Sequence, residues 1–358
     1  MKARYFHRVA QQTPTRLWIN NPTREQADWA LAEGAVGCTS NPSYSQKMLD
    51  HPVEGTYALA LLDEAIRETP DAHRAAAVFQ QKLVAPIAAK FAAKFAPVFA
   101  QGGQQGFVSI QGDPIDEEDV AQLIAESLDN RRVAPNIACK IPATAPGLAA
   151  MEALIEQDVP INATEIFGVS QLIALCETYE RVAARSGRRP VLFMSHIAGI
   201  YDDYLAKQVA EQHIDIAPDV LWQAGLAVAR RVYAEMERRG YTCVFVSGGS
   251  RGLHHFTELV GGRMCITINW EGTVDKLLEQ DPPVVERLFN PVPARVIDEL
   301  CEKLPDFKRG YLEDGLNVSD FADFGPVQLF RSSFIKSWKK VLDVAKERRW
   351  ALSATSAE

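Results

Sequence analysis

No stretch of this 358-residue chain approaches the roughly 20 consecutive apolar residues of a membrane-spanning helix, which predicts a soluble protein with no membrane partner. A basic surplus is missing too. Thirty-eight Lys and Arg against 46 Asp and Glu leave a net charge of −8, the wrong sign for a surface that neutralises nucleic-acid phosphates. Met1 to Arg16 has neither an apolar core nor a small-residue cleavage site, so no secretory leader is expected and the cytoplasm is the expected location. The six cysteines are dispersed without a C-x-x-C, and several sit in apolar runs, as reduced core thiols do. No repeat of solenoid period and no long Gly/Ser/Pro linker divides the chain, which predicts a single domain over residues 1–358. His254 and His255 are adjacent, so their side chains diverge. No H-E-x-x-H or Cys/His partner spacing accompanies them, and neither metal nor cofactor is expected.

What the chain does have is alternation. Eight short apolar runs read as strands: Arg16 to Asn20, Val36 to Thr39, Gly106 to Gln111, Ile137 to Ile141, Pro160 to Ile166, Val191 to His196, Thr242 to Ser247 and Met264 to Asn269. Segments of helical period lie between them: Arg24 to Glu33, Thr56 to Glu68, Asp71 to Phe99, Asp116 to Asn130, Pro146 to Gln157, Val169 to Ser186 and Pro218 to Arg239. Eight strands with intervening helices favour a closed (β/α)8 TIM barrel over an open doubly wound sheet. Glu271 to Gln280, Pro293 to Lys303 and Pro326 to Arg349 read as additional C-terminal helices, and Ser353 to Glu358 as a frayed tail.

In a parallel barrel the chemistry sits at the carboxyl ends of the strands. Lys140 lies in Asn136-Ile137-Ala138-Cys139-Lys140-Ile141-Pro142, an apolar strand unsuited to a solvated ammonium. Burial lowers an amine's pKa, and the neutral amine is the nucleophile that forms a Schiff base with a carbonyl. The alternative is a structural lysine paired with Asp113 or Glu165, or one that reaches the rim. Ser247-Gly248-Gly249-Ser250-Arg251-Gly252 follows a β-branched strand and has the make-up of an anion nest, in which backbone N–H groups converge and Arg251 closes on an oxyanion. A plain glycine turn is the other reading.

Ordered along the chain, several motifs resemble the transaldolase family, specifically the longer bacterial members. They are Leu17-Trp18-Ile19-Asn20-Asn21, Gly37-Cys38-Thr39-Ser40-Asn41-Pro42-Ser43, Val108-Ser109-Ile110-Gln111-Gly112-Asp113-Pro114 and Lys140-Ile141-Pro142-Ala143-Thr144. Asn162-Ala163-Thr164 with Gln171, then Phe193-Met194-Ser195-His196, and finally Phe334-Ile335-Lys336-Ser337-Trp338 follow. The resemblance implies a metal-free barrel in which Lys140 holds a three-carbon dihydroxyacetone unit as a Schiff base. It implies that Asn41, Asn162 and Thr164 line the pocket, Thr164 helping to place a catalytic water. Arg251, with Ser247 beside it, would bind the phosphate of a sugar phosphate or the anion of another ketose. A homodimer is also what the family suggests.

Three departures from the family pattern stand out. Asn20 replaces the aspartate that exchanges the sugar hydroxyl proton during carbon–carbon cleavage. Gln111 replaces the glutamate that works through water on the carbinolamine. His196, after Ser195, replaces the arginine that shares the phosphate, and Ala198 an aspartate. Loss of a positioned acid or base costs about 10²- to 10⁴-fold. The expectation is therefore a transaldolase-like class I enzyme with an altered substrate or reaction; a Schiff-base sugar isomerase or dehydratase and a non-catalytic metabolite-binding barrel are the alternatives. His196 and Glu165 are the groups that could substitute for the lost acids. Strand alternation with Asn162 and Thr164, however, turns Glu165 toward the helices.

Overall fold

The computed structural model describes residues 3–355. All eight expected strands form: β1 (Arg16–Asn20), β2 (Cys38–Thr39), β3 (Val108–Gln111), β4 (Ile137–Pro142), β5 (Ile161–Ile166), β6 (Leu192–His196), β7 (Val244–Ser247) and β8 (Met264–Ile268). Each pairs in parallel with its sequence neighbour, and β8 closes on β1, so the sheet is a barrel without edges.

Sixteen α-helices are described: α1 (Tyr5–Gln12), α2 (Arg24–Ala32), α3 (Ser43–Leu49), α4 (Gly55–Glu68), α5 (Ala72–Phe99), α6 (Val120–Arg131), α7 (Ala145–Glu156), α8 (Val169–Ser186), α9 (Ala198–Gln212), α10 (Pro218–Leu221), α11 (Ala224–Arg239), α12 (His254–Thr257), α13 (Asp275–Gln280), α14 (Ala294–Lys303), α15 (Pro305–Tyr311) and α16 (Gly325–Thr355). Their starts follow local chemistry. Thr23 and Gln26 form a reciprocal capping box at α2, Asp71 caps α5 through the Arg74 N–H, and Thr144 caps α7 through the Gly147 N–H.

Some expectations are corrected. The segment from Pro218 to Arg239 is two helices, broken at Trp222 and Gln223. Of Glu271 to Gln280 only Asp275–Gln280 is regular helix, because Gly272 takes a left-handed φ of 75°. Helix α9 has no sequence-level start: Ile197 offers no capping side chain and Gly199 sits in the first turn. Its buried Ala198, Tyr201 and Leu205, at helical spacing, carry it through packing instead. Of the expected frayed tail, Ser353 to Thr355 continue α16, and residues 356–358 lie outside the described residues.

The lumen is layered. Trp18, Phe107, Ala138, Phe193, Val246 and Cys265 form an apolar floor. The Trp18 and Phe107 rings lie 4.9 and 5.3 Å from Phe193, centroid to centroid. Gly37 is required beside this floor, since a Cβ there would come within 2.2 Å of the Trp18 ring. Two residues further along the strands the lumen-facing positions become Asn20, Ser109, Lys140, Ser195, Gly248 and Thr267. Helix α16 packs on α3, α4, α5 and α9, and carries Phe330, Ser333 and Phe334 to the mouth of the barrel. Among the described residues no helix is long and apolar enough to cross a membrane, and all six cysteines are free thiols.

Candidate active site

A cavity of about 370 Å³ opens at the carboxyl ends of the strands, and Lys140 lies in its wall. The lysine is 6% exposed, and its Nζ sits 5.9 Å from the centroid of the Phe334 ring. Among the described residues it makes no ion pair, so the structural reading of a carboxylate-locked lysine is not met. Burial pushes its pKa down from 10.5 to about 8, against the opposing pull of Glu165 and Glu117. At neutral pH an appreciable share of the amine is therefore unprotonated.

Asn20 and Asn41 also line the cavity. The Asn20 amide is clamped: it accepts from Thr39 Oγ1 (2.8 Å) and donates to Asn269 Oδ1 (2.9 Å). Asn41 Oδ1 accepts from Asn21 Nδ2 at 3.0 Å and from the Ser43 hydroxyl at 2.6 Å. Ser195 reaches the cavity wall and donates to Asn162 Oδ1 (2.7 Å), while Asn162 donates to Ser109 Oγ (3.1 Å). Asn162 and Thr164 thus stand behind Lys140 on the lumen side of β5, fully buried, with Thr164 Oγ1 lacking a protein partner.

Two of the expected substrate ligands are turned away. His196 follows lumen-facing Ser195 and so falls on the opposite face of β6, where its ring stacks on Phe245 with centroids 6.2 Å apart. It is fully buried with neither ring nitrogen paired, and burial holds its pKa near 3, so it is a neutral packing group. Ser247, after Val246 of the floor, is likewise buried and does not line the cavity. Gly248, Gly249, Ser250 and Arg251 do. This loop lies tightly on the start of α9, where a Cβ on Gly199 would come within 2.1 Å of the Gly249 carbonyl oxygen. His255 props it from behind: Nδ1 accepts from the Arg251 N–H (3.2 Å), so Nε2 carries the proton toward Asp202 Oδ2 at 2.8 Å. Asp202, His254 and His255 form a group that a metal could suit, a cluster invisible in sequence because Asp202 is supplied by α9. Arg251 itself is not free. Its Nε donates to Asp203 Oδ2 at 2.5 Å.

The largest surprise is Glu165. β5 carries one extra residue against β6 between Ala163 and Ile166, a β-bulge, and Glu165 takes the left-handed φ of 60°. The bulge cancels the alternation that would have turned this side chain to the helices. Its Oε1 instead accepts from Gln111 Nε2 at 3.2 Å. The same amide nitrogen donates to Glu117 Oε1 at 3.0 Å. Burial raises the pKa of both carboxyls, and Arg331 of α16 opposes the shift, its Nε 3.5 Å from Glu117 Oε2. Gln171 holds the bulge in place by donating to the Glu165 carbonyl (2.9 Å) and the Ala143 carbonyl (3.2 Å).

Four further residues escaped the reading of the sequence: Lys47, Asn269, Glu271 and Glu117. Lys47 lies one turn after Ser43 on α3, both facing the cavity, and donates to the Asn21 carbonyl at 2.9 Å. That i, i+4 spacing was a legible signal. Burial lowers its pKa, and Glu271 opposes the shift. Glu271 is the one carboxylate among the described residues that line the cavity, and it accepts from Gln26 Nε2 at 2.9 Å.

The family model for transaldolase/fructose-6-phosphate aldolase matches residues 17–309. A transaldolase of Thiobacillus denitrificans is 26% identical over 354 residues, covering 89% of this chain and 94% of that protein. A transaldolase of Saccharopolyspora erythraea is 26% identical over 242 residues, 62% of each chain. Transaldolase 1 of Streptomyces avermitilis is 28% identical over 252 residues, or 62% of this chain and 61% of that one. The chain thus matches just over three-fifths of the length of the last two. With a closed eight-stranded barrel, a buried amine on β4 and a family match over most of its length, the chain belongs to the transaldolase/fructose-6-phosphate aldolase family.

Proposed function

We propose that the protein is a Schiff-base enzyme of transaldolase type that cleaves or transfers a dihydroxyacetone-like unit of an anionic ketose. The observation that carries this reading is Lys140: an unpaired amine, buried and depressed to about 8, in the wall of a cavity large enough for a sugar. The neutral amine attacks the ketone, the carbinolamine loses water, and the resulting iminium withdraws the electrons released when the adjacent carbon–carbon bond breaks.

Bond cleavage needs a base for the hydroxyl proton, and Asn20 cannot serve. Its amide is committed to Thr39 and Asn269. Glu271, across the cavity, is the available carboxylate. The anion end of the ketose would meet Lys47 or the Gly248–Arg251 loop, where Arg251 must first loosen Asp203. With Asn20 an amide, His196 out of reach and Arg251 already paired, the substrate or the reaction differs from the family's usual one.

Borohydride reduction in the presence of fructose 6-phosphate, dihydroxyacetone or other ketoses, followed by mass spectrometry, tests the reading. A reduced adduct on Lys140 is expected. Absence of an adduct with every ketose would leave a metabolite-binding barrel. A coupled assay with fructose 6-phosphate and erythrose 4-phosphate is expected to run far below the rate with the adduct-forming ketose; an equal rate would overturn the altered specificity.

A further inference from the structure

Transaldol chemistry on Lys140 requires an acid that gives a proton to the carbinolamine oxygen and takes one from the amine. On β3, beside Lys140 in the ladder, stands Gln111, which can do neither. Behind it are two buried carboxyls whose oxygens lie 3.0 and 3.2 Å from one Gln111 nitrogen. Glu165 reaches this place only because the chain accepts a left-handed backbone at a residue with a side chain, a conformation that L residues other than glycine rarely adopt. Glu165 Oε2 is buried with no protein partner. The charged groups facing the pair are Lys140 from β4 and Arg331 from α16. Arg331 can balance one carboxylate. The other carboxyl has only Lys140 left among these groups to balance it, so the two have one proton to divide although they make no ion pair.

We infer that Glu165, with Glu117 joined to it through the Gln111 amide, is the proton reservoir for imine formation on Lys140, a carboxylate moved from β3 to β5. The inference rests on the Schiff-base reading of Lys140. Glu165 takes a proton from the ammonium and leaves the amine neutral. The nitrogen lone pair forms the C–N bond, the C=O π electrons pass to oxygen, and one of the two nitrogen protons moves to that oxygen, which becomes the carbinolamine hydroxyl. That hydroxyl then departs as water with the C–O electron pair, its second proton coming from the Glu165 carboxyl, and nitrogen completes the C=N bond. No other reactant is required. Gln111 positions the two carboxyls and blocks their approach to each other, since it offers each a separate N–H.

The test has an arm that needs no substrate. Infrared difference spectra of the parent protein against Glu165→Gln and Glu117→Gln at pH 7 are expected to show the loss of one protonated-carboxyl stretch; its absence from both differences would overturn the shared proton. The second arm is the rate of borohydride-trapped adduct with the ketose that labels the parent. Glu165→Gln is expected to slow it about 10²-fold, with the binding constant for the ketose little changed, and to flatten the acid limb of the pH profile. Gln111→Glu in the Glu165→Gln background returns the carboxylate to β3 and is expected to restore at least a tenth of the parent rate. Unchanged rate and pH profile in Glu165→Gln would sink the relay even if Lys140 is labelled. If the parent labels with no ketose while the infrared band is present, the shared proton stands and the Schiff-base reading has failed. Should Glu165→Gln not fold, Glu117→Gln decides the same points in both arms, with an expected slowing of about tenfold.

Discussion

The lower and upper halves of the lumen come from the same strands and differ completely. Trp18 and Asn20, Ala138 and Lys140, and Phe193 and Ser195 are pairs two residues apart on one face of one strand. The lower member of each is buried in a dry aromatic and aliphatic floor; the upper is polar. The floor keeps water from approaching Lys140 from below, so the amine is desolvated while its tip still meets the cavity. A polar lumen throughout would hydrate the amine and return it to its ordinary charge. An apolar lumen throughout would leave nothing to orient a sugar.

Breaking the upper layer should have the largest effect. Lys140→Met is expected to abolish adduct formation, a loss of more than about 10³-fold, and at the same time to stabilise the fold. The sign follows from linkage. The unfolded chain binds the lysine proton below 10.5 while the folded chain binds it less readily down to about 8, so the native state is penalised at neutral pH and recovers stability as the pH rises from 8 to 10.5. The difference corresponds to about 3 kcal/mol at most. Thermal unfolding of the variant at pH 7 and at pH 10 checks it: a gain at pH 7 that shrinks at pH 10 is expected. Trapping by the parent protein should likewise rise with pH through about 8, well below an ordinary lysine.

Breaking the floor comes next. Phe193→Ala removes the ring that meets both Trp18 and Phe107, and is expected to cost about 3–5 kcal/mol in denaturant unfolding. It should also raise the pH midpoint of trapping, because water entering the floor rehydrates Lys140. An unchanged midpoint would show that the desolvation comes from the helix side, Phe334 included, and not from below. The smallest effect is expected at the rim, where Asp203→Asn frees Arg251. An exposed pair of this kind is worth about 1 kcal/mol or less, so inorganic phosphate should inhibit adduct formation several-fold more tightly in the variant.

The barrel was readable because each strand is short, apolar and bounded by turn or cap residues, and because Lys140 announced itself by being charged in an apolar run. His196 and Glu165 were misread in opposite ways. Plain alternation on β6, with Ser195 in the lumen, turns His196 to the helices, whereas Glu165 is brought inward by an extra residue in β5 that no composition reveals. Helix α9 was missed because it lacks a cap, yet it delivers Asp202 to His255 and Asp203 to Arg251 of the loop after β7. Glu117 and Glu271 lie in segments between regular elements, where period gives no direction.

Alone, the order of apolar and polar residues determined the eight strands, the closed topology and the buried lysine in the cavity wall, since these depend on periodicity and on the cost of burying charge. Tertiary structure decided which carboxylate stands beside that lysine, which cation is already paired and which histidine is only packing. Those outcomes turn on contacts between residues tens of positions apart, Gln111 with Glu165, Arg251 with Asp203, Ser195 with Asn162, and on a single left-handed backbone angle that local sequence does not encode.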